Sequence, residues 1–205
     1  MARYRGPKAK ICRRFGENIF GNPKYDKILE RKNSAPGDRG KGYRKKISDY
    51  GVHLLEKQKM RYMYGVLEKQ FRNYFKKADK KAGKTGDNLF KILEMRLDNI
   101  VYRLGLGVNR MQARQMVRHG HIKVNGRKVN IPSFLCVSND IIEVMDKSKN
   151  KKMFVENVDL ITGQCPYGWL TFDKEKMKGE VIEIPNREDI PVNIDDRLIV
   201  EYYSK

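Results

Sequence analysis

The chain has 205 residues and a formal net charge of +19, with 44 Lys and Arg against 25 Asp and Glu. This length is enough for one or two small domains with their own cores. Because no apolar run approaches the length of a spanning helix and no signal peptide is present, we expect a cytosolic protein that does not bind a membrane.

The positive charge lies mainly in the N-terminal part. Residues 1–86 hold 25 Lys and Arg against 8 Asp and Glu, whereas residues 147–205 hold 10 against 11. A gradient of this kind indicates a polyanion that is bound by the N-terminal part. The acidic side chains near the C-terminus, such as Glu180, Glu183 and Asp189, either contact a basic protein or form ordinary solvated surface.

Residues 1–46 are rich in Lys, Arg and Gly and have little apolar periodicity. They predict an extended basic arm with short helical pieces, which has too few apolar residues for a core and becomes ordered on RNA. The side chains of Tyr4 and Phe15 either pack on the protein or stack on bases. The phosphate contacts predicted in this arm are Arg3, Arg5, Lys8, Lys10, Arg13, Arg14, Arg44, Lys45 and Lys46.

Residues 47–95 predict a helical domain. Ser48 or Asp49 can cap a helix that runs to Met63, Gly65 marks a break, and a second apolar stripe follows. Each helix is apolar on one side and basic on the other, and we expect the basic side to bind RNA. Its predicted contacts are Lys57, Arg61, Lys69, Arg72 and Lys76. The loop KKAGKTG lacks the spacing of a nucleotide-binding loop, so we predict no nucleotide there.

Residues 96–160 predict two helices and a β-hairpin. Apolar residues from Leu89 to Leu104 recur at three- and four-residue spacing, which predicts one continuous helix from Thr85. Asn109 can cap the next helix, Gly120 ends it, and Asn125-Gly126 is typical of a type I′ hairpin turn. The expected RNA-binding surface, called the basic ledge below, consists of Arg110, Arg114, Arg118, His119, Lys123, Asn125 and Arg127.

Residues 161–205 predict a small β region. The alternation in 169–172 and 181–184 predicts a hairpin, and 198–203 predicts a closing strand, with a short helix expected within 155–161. The fold class expected is therefore α+β: an extended basic arm, a helical N-terminal domain, a two-helix module with a hairpin, and this C-terminal β segment. The corresponding boundaries are 1–46, 47–95, 96–160 and 161–205.

The sequence offers no convincing site for a metal, a cofactor or a small-molecule substrate. Cys12, Cys136 and Cys165 have no CxxC spacing, and we expect each to be a small apolar residue rather than part of a disulfide or a zinc site. The histidines lack metal-ligand spacing. His119 and His121 flank Gly120, where either one donates to a phosphate or is simply a solvated turn residue.

Several blocks of this sequence together resemble a known family. The stretch RLDNIVYRLGLGVNRMQARQMVRHGHIKVNGRKVNIPS is similar to the αL-type RNA-binding module that ribosomal, tRNA synthetase and pseudouridine synthase families share. MARYRGPKAKICRRFG, SDYGVHLLEKQKMRYMYGVLEKQFRNYF and LIVEYYSK resemble, more specifically, the bacterial small-subunit ribosomal protein S-four family. The likeness extends over residues 1–205.

The resemblance implies a structural protein of the ribosome with no enzymatic activity. Members of this family bind small-subunit rRNA early, nucleate assembly of the subunit body, and abut ribosomal protein S-five at an interface that influences decoding accuracy. They also help to line the mRNA entry channel, and the basic stretch that reaches it matches Tyr43, Arg44, Lys45 and Lys46. We expect no homo-oligomer.

Two alternatives share the same RNA-binding module. A stress-related RNA-binding protein would lack the first and last blocks quoted above. A pseudouridine synthase would use the Asp of an RLD motif as its nucleophile, which corresponds here to Asp98. We expect Asp98 instead to be a polar helix residue that pairs with an arginine such as Arg103 or Arg114, because a three-residue motif is weakly specific.

Overall fold

The computed structural model describes residues 4–32, 34–37, 46–161, 163 and 165–204. The chain forms two compact units, one from residues 1–86 and 193–205 and the other from residues 87–192. The first unit is helical in its described parts, and the second combines helices with a five-stranded antiparallel sheet, so the predicted α+β class is confirmed. Within the described ranges, no helix has both the length and the apolar character needed to span a membrane.

The first unit begins with two short helices, α1 (Lys8–Phe15) and α2 (Pro23–Arg31). Helical pieces were expected here, but the small cluster around which the two helices pack was not. This stretch does not form the cluster alone, because Tyr62 and Met63 from farther along the chain also pack against it. The buried members are Ile11, Cys12, Ile19 and Tyr25.

Helices α3 (Asp49–Met63) and α4 (Glu68–Asp79) follow as expected. The Ser48 side chain accepts a hydrogen bond from the Gly51 amide at 3.3 Å, so Ser48 is the N-cap residue of the two candidates that the sequence offered. Gly65 has a φ of +62° between the two helices, where a residue with a Cβ is disfavoured. The apolar face of α4 is buried through Phe71, Tyr74, Phe75 and Ala78.

The last element of the first unit is a helix, α10 (Asp196–Ser204). The prediction of a closing strand at Leu198–Tyr203 is therefore wrong. The β-branched and aromatic residues fit alternation, but Ile199 and Tyr203 are also four residues apart and share one helix face. The Asp195 carboxylate accepts from the Arg197 amide at 2.9 Å at the start of the helix, and α10 packs on α3.

The second unit contains the break that the sequence pattern concealed. Instead of one helix, the chain forms α5 (Thr85–Glu94) and α6 (Leu97–Arg103). Arg96 between them is extended, with φ −73° and ψ 137°. The amides of Leu97 and Asp98 donate to backbone carbonyls of Phe134 and Pro132, at 2.9 and 3.2 Å. The apolar residues are buried on both sides of the break, which explains why their periodicity suggested continuity.

The sheet of the second unit has five strands: β1 (Ile122–Val124), β2 (Arg127–Lys128), β3 (Ile141–Val144), β4 (Leu170–Asp173) and β5 (Lys178–Val181). Their order across the sheet is β2-β1-β3-β5-β4, antiparallel throughout. Asn125 and Gly126 have φ of +49° and +77°, which confirms the predicted turn type. The predicted second hairpin is present as β4–β5, but its second strand lies at Lys178–Val181 and not at 181–184 as predicted. Strand β5 also pairs with β3, so both hairpins belong to one sheet.

Three further helices complete the second unit: α7 (Arg110–Arg118), α8 (Asp146–Lys149) and α9 (Lys152–Asp159). The core between the helices and the sheet includes Phe154 and Trp169, both almost completely buried. Cys136 lies in this core, where burial raises the pKa of its thiol far above the usual value. Cys136 is thus a small apolar residue in its packing, as the sequence suggested.

Candidate nucleic-acid interface

The basic ledge is built on α7. The Asn109 side chain accepts hydrogen bonds from the amides of Met111 and Gln112, at 3.1 and 3.0 Å, and thereby caps the helix. The inner face of α7 is fully buried through Ala113, Met116 and Val117. The three predicted arginines lie on the other side of the helix, but only Arg118 is exposed, whereas Arg110 and Arg114 are half-buried.

Arg114 is held by a buried carboxylate. Its Nη1 lies 2.9 Å from Oδ2 of Asp98, and the same carboxylate accepts from Nε and Nη2 of Arg96 at 3.0 and 2.6 Å. Asp98 is 4% exposed, so two guanidinium groups compensate one charge that water does not reach. Of the two expected partners of Asp98, the structure selects Arg114 and not Arg103.

Arg103 belongs to a second buried network. Its Nε and Nη2 donate to the two carboxylate oxygens of Glu94, at 2.9 and 2.7 Å, which is a bidentate arrangement. Its Nη1 donates to the Tyr167 hydroxyl at 2.9 Å. Asn99 also donates to Glu94, at 2.6 Å, and accepts from Nε of Arg110 at 2.8 Å. A chain of hydrogen bonds therefore leads from the core to the ledge.

The hairpin residues of the ledge differ in their surroundings. Lys123 lies 2.9 Å from Glu143 and 3.4 Å from Asp146, and the hydrogen bond to Glu143 raises the pKa of Lys123 above its usual value. The Asn125 side chain is used within the fold, since it donates to Asp140 at 2.8 Å and accepts from the Ile141 amide at 2.9 Å. Arg127 is exposed.

Lys128 is an exposed cation that the sequence-based choice of contacts omitted. It pairs with Lys123 across the β1–β2 ladder. The sequence could have predicted this position, because a two-residue Asn-Gly turn determines which residues of the two strands face each other. The ledge can therefore present one more cation than predicted.

The two histidines at the end of α7 are not equivalent. His119 is exposed, whereas His121 is half-buried, with Nδ1 2.9 Å from the Ser148 hydroxyl and its ring against Phe154. Burial and the nearby charge of Lys151 lower the pKa of His121. His119 is therefore the histidine whose position suits contact with a phosphate.

In the first unit, the N-terminal cations fall into three groups. Arg5, Lys10, Arg14 and Lys46 are exposed, and Lys8 and Arg13 are half-buried. Arg13 donates to the carbonyls of Ser34 and Ala35 at 2.9 and 3.4 Å. The predicted contacts Arg3, Arg44 and Lys45, and Tyr43 beside them, lie outside the described residues.

The aromatic side chains of this stretch pack on the protein. The Tyr4 and Tyr62 rings meet edge to face, with centroids 5.1 Å apart. Phe15 packs against the cluster around Cys12. Of the two roles left open for these rings, the structure favours packing over base stacking.

The prediction of an exposed basic face on the helices between residues 57 and 76 is only partly correct. Lys69, Arg72 and Lys76 are exposed on one side of α4. Lys57 and Arg61 are not on an exposed face, since they are 2% and 9% exposed. No residue of α3 from His53 to Met63 is fully exposed, so the predicted basic side of this helix is covered.

Each of the two buried cations has a protein partner. Lys57 forms an ion pair with Glu68 at 2.8 Å and lies 4.8 Å from the centroid of the Tyr202 ring. Arg61 donates to Gln58 at 2.7 Å, and its guanidinium lies 4.1 Å from the centroid of the Tyr62 ring.

Comparison with known proteins gives matches along the whole chain. Residues 3–94 match the ribosomal protein S4/S9 N-terminal domain family, and residues 95–142 match the S4 domain family. The chain is 52% identical over 209 residues to small ribosomal subunit protein uS4A of Alkaliphilus metalliredigens. It is 50% identical over 205 residues to uS4 of Phocaeicola vulgatus and 49% identical over 207 residues to uS4 of Parabacteroides distasonis. Each alignment covers 100% of this chain and 100% of the relative. The chain therefore belongs to the uS4 family of small ribosomal subunit proteins.

Proposed function

We propose that this protein is a structural component of the small ribosomal subunit and that it binds small-subunit rRNA. The observation that carries the proposal is the full-length identity to uS4 proteins. Exposed cations fixed on helices and on a hairpin support it physically. Double-stranded RNA hides its base edges, so recognition would depend on phosphates, 2′-hydroxyls and the shape of the folded RNA.

The proposed phosphate contacts are those cations of the sequence-based prediction that reach the surface of their unit, together with Lys128. In the first unit these are Arg5, Lys10, Arg14, Lys46, Lys69, Arg72 and Lys76, and in the second they are Arg110, Arg114, Arg118, Arg127 and Lys128. Arginine suits this role because its planar fork can bridge two phosphate oxygens. Arg3, Arg44 and Lys45 remain in the proposal on sequence grounds alone.

The finer roles follow from the resemblance to the family. In this proposal the protein binds early, nucleates assembly of the subunit body in the cytoplasm, and contacts ribosomal protein S-five and the mRNA near its entry channel. The segments 1–46, 47–95, 96–160 and 161–205 keep separate roles as arm, helical domain, RNA-binding module and C-terminal region.

The enzymatic alternative has no support from the relatives, which are ribosomal proteins over their full length. The position of Asp98 argues against it as well. A nucleophile must reach its substrate, but the carboxylate of Asp98 is held by two guanidinium groups and is 4% exposed.

Sedimentation tests the ribosomal assignment directly. Lysate of cells that express the tagged chain is centrifuged through a sucrose gradient in high salt, where weakly bound proteins dissociate. We expect the chain to migrate with the small subunit. A chain found only in the free fractions at the top of the gradient would contradict the proposal.

Filter binding to full-length small-subunit rRNA tests the ledge. The variant R118A/R127A/K128A removes three exposed cations of the ledge, and we expect binding at least tenfold weaker, or about 1.4 kcal/mol. The matched control K147A/K152A/K176A removes three exposed cations elsewhere in the second unit, and we expect less than a twofold loss. Equal losses in the two variants would mean that total charge, rather than the ledge, determines binding.

A further inference from the structure

Arg110 is the ledge arginine whose orientation is fixed from two sides. Its Nε donates to Oδ1 of Asn99 at 2.8 Å, and its guanidinium carbon lies 4.6 Å from the centroid of the Tyr102 ring. A long arginine side chain loses much rotamer entropy when it binds a phosphate. Restraints already present in the protein reduce this loss, because part of the ordering cost falls on folding rather than on binding.

The orientation of the Asn99 amide is determined by chemistry. Its Nδ2 lies 2.6 Å from Oε2 and 3.1 Å from the backbone oxygen of Glu94. Both of these atoms can only accept a hydrogen bond while the carboxylate is ionised, so the NH₂ group must face them. The amide oxygen then points toward Arg110, which is the group that can donate to it.

Glu94 is itself fixed, which makes Asn99 a rigid support. Two nitrogens of Arg103 hold the Glu94 carboxylate, which is fully buried, and Arg103 also donates to Tyr167. Asn99 is 2% exposed and is buried among these groups. Tyr167 and Arg103 therefore hold the Glu94 carboxylate in place. Glu94 in turn fixes Asn99, and Asn99 orients Arg110.

The support for Arg110 differs in charge from the support for Arg114. Asp98 holds Arg114 with a carboxylate, and this contact offsets positive charge. Asn99 holds Arg110 with a neutral amide oxygen, so the hydrogen bond orients the guanidinium without offsetting its charge. A guanidinium whose orientation is already restrained is well suited to bridge two phosphate oxygens.

We infer that Asn99 and Tyr102 are positioning residues of the RNA interface and that both act through Arg110. The inference rests on the proposed function, since it concerns the affinity for small-subunit rRNA. Asn99 does not touch the RNA itself. Removing its side chain weakens binding because Arg110 then samples orientations that do not match a phosphate.

A double-mutant cycle tests the inference on the full-length protein. Affinity for full-length small-subunit rRNA is measured for the wild type, N99A, R110A and N99A/R110A, and the same cycle is repeated with Y102L. We expect N99A to weaken binding about five- to tenfold in the wild type and less than twofold when Arg110 is already alanine. If N99A does not fold, the Tyr102 cycle carries the test, because Y102L removes the other restraint.

The matched control is N157A. Asn157 is also a buried amide of the second unit, 6% exposed, and it donates to the Leu106 carbonyl at 2.7 Å rather than to a residue that holds Arg110. We expect N157A to destabilise the fold without changing RNA affinity below the melting temperature. A loss from N99A that persists unchanged in the R110A background would overturn the inference, and so would no loss at all. A wild-type protein that does not bind the rRNA overturns the proposed function instead.

Discussion

Nζ of Lys57 lies 2.8 Å from Oε1 of Glu68, and the lysine side chain is 2% exposed. A lysine this deeply buried requires an acceptor, because desolvation penalises its charge. The Tyr203 hydroxyl donates to the same carboxylate oxygen at 2.9 Å, and the Tyr203 ring lies 4.5 Å from the ring of Phe75. Glu68 thereby connects α3, α4 and α10.

This relationship predicts a pH-dependent contribution to stability. Burial alone would raise the pKa of Glu68, but the hydrogen bonds from Lys57 and Tyr203 outweigh burial and hold the pKa below its ordinary value of 4.5. The contribution is therefore present above that value and is lost as the pH falls through the lowered pKa. We expect E68Q to lower the free energy of unfolding by about 1 kcal/mol at neutral pH, since the carboxylate is partly exposed.

Urea unfolding followed by circular dichroism at neutral and acidic pH measures this difference. The difference between wild type and E68Q should vanish at acidic pH. The control E30Q removes an exposed carboxylate from α2 and should leave the free energy of unfolding unchanged. A difference for E68Q that is the same at both pH values would contradict the prediction.

Arg114 and Arg118 are neighbours on α7, but their replacement should have different main effects. We expect R114A to lower the stability of the fold and R118A to weaken RNA binding without destabilising the fold. R114A takes one of two guanidinium groups from the buried Asp98 carboxylate, so we expect a loss of about 1–3 kcal/mol of stability. R118A removes an exposed side chain and should change stability by less than about 0.5 kcal/mol. Thermal denaturation of the two variants measures this contrast.

For R118A the expected change is in RNA binding. The slope of log affinity against log salt concentration should fall by roughly 0.7–0.9, which corresponds to one phosphate contact. An R118A variant that melts earlier than R114A, or that keeps the full salt dependence, would contradict the assignment of the two side chains.

The exposed face of α4 should contribute several phosphate contacts. K69A/R72A/K76A should weaken binding to small-subunit rRNA and lower the salt slope by roughly 2–3, while alanine preserves the helix. The control Q70A/N73A changes two exposed neutral residues of the same helix and should have neither effect. If the triple variant and the control bind alike in a salt titration, this face does not contact RNA.

Local signals in the sequence predicted the parts of the fold that local chemistry determines. Ser48 and Asn109 cap helices, and Asn125-Gly126 makes the turn, because each needs only its neighbours to form its hydrogen bonds or its positive φ. The inward positions of α7 were equally predictable from spacing. These features position the ledge, so much of the candidate site could be anticipated.

The errors concern features that depend on distant parts of the chain. Lys57 is buried because α10, more than a hundred residues later in the chain, covers it. The sequence around Lys57 does not predict this burial. Residues 198–203 fit a strand and a helix equally well, and packing against α3 decides between them. The support of Arg110 by Asn99 required α6 and α7 to be placed side by side, which sequence spacing alone does not provide.

The placement of α10 has a consequence for synthesis. Residues 87–192 form a contiguous unit, whereas the packing of α3 must wait for residues 196–204, which are synthesised after the whole of the second unit. Until then the hydrophobic rings of α4 and the Lys57 ammonium lack the cover that α10 provides. The synthesis of the first unit, which carries most of the positive charge, therefore begins before that of the second unit, but the first unit completes its packing only after the second has been made.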